Sequence, residues 1–126
     1  MSTPDNLKYT KDHEWIRLDG DTATVGITDH AQDELGDITY VELPAVGKEV
    51  TANGELAVIE SVKAASDIFA PVAGTVSETN SALDDEPEIV NDSPYENGWI
   101  CKLTSVDAAE VDALMSAADY EAFIAG

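Results

Sequence analysis

The sequence predicts a mainly β domain with short helices and one C-terminal helix packed on the outside of a sheet. Two observations support this fold class. Short apolar runs separated by turn-forming residues recur as far as residue 103, as in antiparallel strands. After residue 107 the apolar spacing changes to a helical period. The 126 residues suit a single domain over residues 1–126, and no linker or low-complexity segment divides them.

The first part of the chain predicts three strands and one helix. The strands are Trp15–Leu18, Thr22–Ile27 and Ile38–Leu43. The segment Asp19-Gly20-Asp21 joins the first two as a short hairpin turn, and Pro44 closes the third strand. Asp29 is a helix-capping residue before His30–Leu35, and Gly36 is suited to end that helix.

The middle of the chain predicts further strands joined by turns. These strands are Glu55–Ser61, Ala65–Phe69, Thr75–Glu78 and Trp99–Leu103. The short segment Glu49–Thr51 leads into a turn at Ala52-Asn53-Gly54, and a second turn is centred on Val72-Ala73-Gly74. A polar, partly helical stretch over Asn80–Glu88 then precedes a loop over Asp92–Gly98.

The C-terminal segment predicts one amphipathic helix. Asp107 and Glu110 form a pair typical of a capping box at its start. Apolar residues then recur on one helical face, at Val111, Leu114, Met115, Ala118, Tyr120, Phe123 and Ile124. We expect this face to pack against the side of a sheet.

The net charge excludes two classes of partner. The chain has 26 acidic and 6 basic residues, a formal charge of −20, and such a field repels nucleic-acid phosphates and anionic membranes. The acidic residues are dispersed along the chain rather than collected in a tail. We interpret this pattern as adaptation to a salty cytoplasm in a halophilic organism. The alternative is an acidic surface that binds a basic partner.

The sequence favours a cytoplasmic location. Its longest apolar runs are far shorter than the roughly 20 residues that a membrane-spanning helix needs. The first ten residues lack the apolar segment of a secretory signal. The single cysteine, Cys101, cannot form an internal disulfide, which suits a reducing compartment.

One lysine is a candidate modification site. Two apolar strand-like runs meet around Val62-Lys63-Ala64, so the ammonium group of Lys63 is expected at a hairpin tip, in solvent and without a neighbour. A side chain at a tip is accessible to a modifying enzyme, and a group attached there can swing. The alternative is an ordinary charged turn residue, and the spacing alone does not decide between the two.

Other reactive residue types predict no further site. His13 and His30, with Glu14 and Asp29 adjacent, lack a matched third ligand motif, so we expect no metal site. Cys101 shares a predicted strand face with its apolar neighbours, so we expect a buried small side chain rather than a reactive thiol.

The segment around the lysine resembles a known family. Glu60-Ser61-Val62-Lys63-Ala64, followed by Ser66-Asp67 and Pro71, is similar to the lipoyl-lysine segment of the glycine cleavage system H-protein family. Other family-like motifs occur in the same order along about residues 7–124. They are Leu7-Lys8-Tyr9-Thr10, His13-Glu14-Trp15, the segment from Val25 to Gln32, Val41-Glu42-Leu43-Pro44, Gly47 and the segment from Asn91 to Trp99.

The resemblance implies a fold and a role. The fold is a barrel-sandwich hybrid of two antiparallel sheets, and the role is that of a carrier without catalytic activity of its own. The resemblance implies lipoate covalently attached to Lys63, in a chain that we expect to be monomeric. The implied partners are the P protein (glycine decarboxylase), the T protein (aminomethyltransferase), the L protein (dihydrolipoamide dehydrogenase) and a lipoate ligase or lipoyltransferase.

The resemblance also implies a cradle for the loaded arm. An aminomethyl group on the lipoyl arm is sensitive to water, so the arm has to be parked against the protein. Glu14 and Asp67 match family positions expected to contribute to this cradle. Plant relatives carry a histidine where this sequence has Glu34 and a serine where it has Asp12, so the contacts to the arm can differ here.

Three alternatives stay open on the sequence. In the first, the chain is a lipoate-relay protein that does not handle glycine. In the second, it is another carrier domain, of the biotinyl or 2-oxoacid dehydrogenase type. Biotinyl domains characteristically have methionines beside the lysine, whereas Val62 and Ala64 flank it here. The third alternative is a hydrolase that uses Glu14 and Asp67 as paired carboxylates.

Overall fold

Two antiparallel sheets form the body of the protein, as predicted. The computed structural model describes residues 3–125. Over these residues the strands are β1 (Lys8–Tyr9), β2 (Glu14–Asp19), β3 (Thr22–Ile27), β4 (Ile38–Glu42), β5 (Glu49–Val50), β6 (Glu55–Ser61), β7 (Ala65–Phe69), β8 (Gly74–Thr79) and β9 (Cys101–Thr104). The helices are α1 (Asp29–Leu35), α2 (Ala82–Asp85), α3 (Ile89–Asp92), α4 (Ala108–Asp112) and α5 (Ala117–Ala125).

The two sheets enclose the main core. Six strands pair in the order β1-β2-β3-β9-β8-β5, and the other three pair in the order β4-β6-β7. Buried residues of both sheets, such as Val25 and Ile59, belong to one continuous apolar cluster. The sheets therefore pack on each other through apolar side chains, and the fold is the barrel-sandwich hybrid that the resemblance implied. The strand β1 was not predicted from the residue pattern.

The first hairpin is fixed by a close contact between a glycine and a tryptophan. Trp15 lies directly opposite Gly26 in the β2–β3 pair, and its indole is fully buried. A Cβ atom at Gly26 would lie 2.7 Å from that indole, so only glycine fits there. The indole Nε1 donates to the Pro94 carbonyl at 2.9 Å, which ties the loop before β9 to this hairpin.

The helix α1 begins one residue earlier than predicted. Its N-cap is Thr28, whose hydroxyl accepts a hydrogen bond from the Ala31 N–H, so the prediction of Asp29 as the cap was wrong. Both residue types cap helices well, and the tertiary position of Thr28 decides between them. Gly36 ends the helix as predicted, with φ at +77°.

The segment after β8 forms two short helices, α2 and α3. The helix α3 ends at Asp92, a position that the sequence placed in a loop. The last strand begins at Cys101 rather than Trp99, and Trp99 packs instead against a second cluster that contains Trp15. Cys101 is fully buried, as predicted.

The C-terminal segment is two helices rather than the single one predicted. The chain leaves the helical path after α4 because Met115 pairs with Tyr9 as an extra β-bridge, with N–O distances of 2.9 and 3.0 Å. Asp107 caps α4 through the Ala109 N–H, as predicted. After the break the helical register changes, so that Tyr120 is buried while Phe123 is 42% exposed.

Candidate functional site

The predicted lysine lies at the tip of the β6–β7 hairpin, and a serine hydroxyl holds the tip. The Ser61 Oγ accepts hydrogen bonds from the backbone N–H groups of Lys63 and Ala64, both at 3.2 Å. The Ser61 N–H donates to the Ala64 carbonyl at 2.8 Å. The side chain of a small polar residue thus closes the turn, and Lys63 is exposed.

A second set of contacts fixes the tip against the end of α1. The Val62 N–H donates to the Asp37 carbonyl at 3.0 Å. The Lys63 Nζ donates to the Glu34 carbonyl at 3.4 Å, and a Cβ atom at Gly36 would lie 3.1 Å from the lysine Cε. The expectation that the ammonium group has no neighbour was therefore wrong. The hydrogen bond to the Glu34 carbonyl is long, and the ammonium group stays accessible.

An asparagine side chain holds the turn on which the lysine rests. The Asn91 Oδ1 accepts from the Ile38 N–H at 2.9 Å. Its Nδ2 donates to the Gln32 side chain at 3.0 Å and to the Gly36 carbonyl at 2.9 Å. One residue of α3 therefore connects α1 with β4. In the sequence, Asn91 belongs to a family-like motif that assigns it no role, and only the fold reveals this one.

A cleft lies beside the lysine. It has a volume of about 200 Å³, and Glu34 of its wall is the residue whose carbonyl the Lys63 ammonium contacts. The wall consists of Asp12, His13, Ala31, Glu34, Leu35, Ser66 and Ile68. A larger surface cleft of about 610 Å³ lies between the β1–β2 turn and the end of α4, and its wall contains none of the predicted site residues.

The first predicted cradle residue, Glu14, is buried behind this wall. Only 1% of its surface is exposed. Its carboxylate accepts from the Thr10 hydroxyl at 2.7 Å and from the Phe69 N–H at 3.1 Å. Desolvation by burial outweighs these bonds and raises the pKa of Glu14 to about 7. The side chain of Glu14 does not line the cleft, although the preceding residue in the chain, His13, does.

The second predicted cradle residue, Asp67, is exposed on the edge strand β7. It lies between Ser66 and Ile68, which both line the cleft. Side chains alternate along a strand, so the carboxylate of Asp67 points to the opposite face. The structure thus places Glu14 and Asp67 next to wall residues but not in the wall. It places Asp12 and Glu34, the two departures from plant relatives, inside it.

The raised pKa of Glu14 predicts a pH dependence of stability. Because the folded pKa lies above the ordinary value of 4.5, ionisation favours the unfolded chain. The free energy of unfolding of the wild type, measured relative to Glu14→Gln, is expected to fall by about 3 kcal/mol between pH 4.5 and 7. Denaturant unfolding in metal-free buffer at several pH values measures this difference.

A matched control tests the same substitution at the surface. Glu49 is exposed, so Glu49→Gln is expected to change stability little at any pH. Parallel pH profiles for the wild type and Glu14→Gln would contradict the assignment of a desolvated carboxyl group at position 14.

The fold brings together two histidines and a glutamate at this cleft. The imidazoles of His13 and His30 have ring centroids 4.7 Å apart, and the His30 Nε2 lies 2.9 Å from the Glu34 Oε1. Burial lowers the pKa of His13, with a smaller contribution from His30. In the sequence, the acidic residues adjacent to these histidines are Glu14 and Asp29. The residue that the structure adds is Glu34, one helical turn after His30.

Two further predictions concern the reactivity of the single cysteine and the absence of a membrane-spanning helix. Cys101 is fully buried, which confirms the prediction of a buried side chain. This burial raises the pKa of its thiol to about 12, so the group is not a thiolate at neutral pH. Over residues 3–125, no helix has both the length and the apolar character that crossing a bilayer requires.

A family model and the similar proteins of known name all carry the same description. The family model described as "Glycine cleavage H-protein" matches residues 7–126. The chain is 59% identical to a glycine cleavage system H protein of Marinomonas sp. (strain MWYL1), over 99% of this chain and 100% of the relative. It is 53% identical to a protein of the same name from Geobacillus kaustophilus (strain HTA426), with 98% of each chain covered.

A solved structure agrees with the fold. The crystal structure of a glycine cleavage system H protein from Mycobacterium marinum superimposes with a TM-score of 0.88 at 35% identity. The match covers 98% of this chain and 99% of that one.

Proposed function

The chain belongs to the glycine cleavage H-protein family, and from that membership we propose that Lys63 carries its lipoyl group. The protein is a lipoyl carrier of the glycine cleavage system rather than a catalyst. The observation that supports Lys63 is its place at an exposed, fixed hairpin tip within the family-like segment.

The surroundings of Lys63 fit the attachment of an acyl group. Attachment forms an amide between the lysine Nζ and the carbonyl carbon of an activated lipoyl group, an acyl adenylate or thioester brought by the modifying enzyme, whose bond to the adenylate or thiol breaks. The ammonium group gives up two of its three protons and leaves the Glu34 carbonyl. That hydrogen bond is 3.4 Å long and exposed, so breaking it costs little. When bound, the lipoyl group supplies a dithiolane that accepts an aminomethyl group and electrons.

The proposal assigns a partner to each step of the carrier cycle. The protein works with the other components of the glycine cleavage system. We assign loading with the aminomethyl group to the P protein, unloading to the T protein and reoxidation to the L protein. A lipoate ligase or lipoyltransferase modifies Lys63, and the exposed tip gives each enzyme access to it.

We also propose, from the family resemblance, that Glu14 and Asp67 contribute to a cradle for the loaded arm, although neither side chain lines the cleft beside Lys63 in this structure. Each of them adjoins a wall residue in the chain, His13 for Glu14 and Ser66 for Asp67. A carboxylate is a suitable partner for the protonated amine of an aminomethyl group. Glu14 holds two hydrogen bonds in this structure, so its contribution requires the loss or sharing of one of them.

Glycine–bicarbonate exchange with P protein tests the proposed function. We expect the chain lipoylated at Lys63, as confirmed by intact mass, to support exchange, and the unmodified chain to give only background. Lipoylated protein without exchange would contradict the shuttle and favour the lipoate-relay alternative, and biotin on Lys63 would contradict the carrier type. Asp67→Asn is expected to lower the exchange rate without changing lipoylation if the cradle is correct.

A further inference from the structure

We propose that His13, His30 and Glu34 form a binding site for a divalent transition-metal ion, best suited to Zn²⁺, at the rim of the cleft. The argument for the site does not rest on lipoylation or on the proposed carrier cycle, although His13 and Glu34 line the cleft beside Lys63. It goes against our own expectation from the sequence that the two histidines belong to no metal site.

The three side chains already lie close to a ligating arrangement. One nitrogen of each imidazole and one oxygen of Glu34 all lie within 4.8 Å of one another. Ligands of a tetrahedral zinc ion are separated by roughly 3.3 Å. The His30–Glu34 pair is already at 2.9 Å, so a small movement of the His13 ring brings the third ligand into range.

The backbone holds His13 in place over α1. Its N–H donates to the Thr10 carbonyl at 3.2 Å, and its own carbonyl accepts from the Thr28 N–H at 3.0 Å. His30 and Glu34 are four residues apart on α1, so they occupy the same face of the helix. Two of the ligands thus come from one rigid element and the third from a fixed turn.

Hydrogen bonds behind His13 resemble the outer support of known metal sites. Its Nδ1 lies 2.8 Å from the Tyr120 hydroxyl, which lies 2.7 Å from the Thr28 hydroxyl. Metal-bound histidines usually donate their second ring N–H to a carboxylate, a backbone carbonyl or water. The Tyr120 hydroxyl oxygen can accept such a bond from His13 here. With Nδ1 engaged by Tyr120, Nε2 is the nitrogen of His13 left for the metal.

The donor set selects the class of metal. Two imidazoles and one carboxylate are the protein ligands of several zinc enzymes, whereas Mg²⁺ and Ca²⁺ prefer oxygen alone. His13 and His30 are half-buried and Glu34 is exposed, so an ion can enter from solvent. The charge of −20 attracts every cation, but it does so diffusely and without preference for nitrogen ligands.

Competition titration of Zn²⁺ against a chromophoric chelator tests the site. We use the full, tag-free chain produced without lipoate, so that no lipoyl thiol can bind the metal, in about 1 M KCl with excess Mg²⁺ to suppress diffuse binding. We expect one Zn²⁺ per chain, and substitution with Co²⁺ to give the visible absorption of a site with nitrogen ligands.

Single variants identify the ligands. His30→Gln and Glu34→Gln are each expected to weaken Zn²⁺ binding by at least about tenfold. Asp33→Asn removes the same charge from an exposed neighbour on α1 and is expected to change the affinity less than about twofold. Circular dichroism confirms that each variant folds, and neither of the two ligand substitutions lies in a buried position.

Two results would overturn the proposal. The first is Zn²⁺ binding that Mg²⁺ or KCl displaces, and the second is an affinity that His30→Gln and Glu34→Gln leave unchanged. Neither result bears on glycine–bicarbonate exchange, so this inference and the carrier function succeed or fail separately.

Discussion

Lys63→Arg is expected to abolish lipoylation completely while leaving the fold intact. The guanidinium group of arginine stays protonated and cannot form the amide with a lipoyl carboxyl group. The substitution replaces only one long, exposed hydrogen bond to the Glu34 carbonyl, so the free energy of unfolding is expected to change by less than about 0.5 kcal/mol. Intact-mass spectrometry after co-expression with the cognate ligase measures the modification.

The same exchange at another exposed lysine is the control. Lys11→Arg keeps the positive charge in the same way but lies outside the hairpin tip, so full lipoylation is expected. Lipoate on the Lys63→Arg chain would contradict the assignment of the site. Loss of lipoylation in Lys11→Arg as well would show that the loss reflects ligase recognition rather than the acceptor amine.

The second large effect is a strong dependence of stability on salt. Among residues 3–125 the ion pairs are Arg17–Asp19, His30–Glu34 and Lys102–Glu78, so most of the 26 acidic groups have no cationic partner. The screening length falls from about 30 Å at 0.01 M salt to about 3 Å at 1 M, which removes most of the repulsion between them. We expect the thermal midpoint to rise by tens of degrees over this range.

A variant with fewer charges tests the cause. Four exposed acidic residues lie close together after β8, and a quadruple variant changes them to the matching amides, at Asp84, Asp85, Glu86 and Glu88. We expect this variant to be more stable than the wild type at low salt and to show a shallower salt dependence. Equal midpoints at 0.01 M and 1 M in the wild type would contradict the interpretation of salt adaptation.

Most strands other than β1 were predictable because their own residues set them. Alternating apolar runs and turn residues placed β2, β3, β6 and β7 within one residue of their observed ends, and the hairpin tip at Lys63 followed from them. Local patterns identified the C-terminal helices as well, but not the break between them. That break depends on Met115 pairing with Tyr9, more than a hundred positions away, and a helical period contains no information about such a partner.

The cleft was less predictable than the lysine beside it. Its wall combines the β1–β2 turn, α1 and β7, and the pairing of whole strands rather than any local spacing brings them together. His13 and His30 are 17 positions apart, so no ligand motif connects them in the sequence. The burial of Glu14 could not be predicted from the sequence either, because a charged residue beside a tryptophan is usually exposed.

The fixed turn at Ser61 determines how far a group attached to Lys63 can travel. The Ser61 hydroxyl and the Asp37 carbonyl hold the backbone on both sides of the lysine, so no hinge in the main chain adds to the reach of the tether. The volume that its end explores is therefore small, and the effective concentration at a docked enzyme is correspondingly high. Glycines inserted at this turn would enlarge that volume and lower the effective concentration of the attached group at a docked enzyme. A rigid turn therefore favours reaction with each partner enzyme.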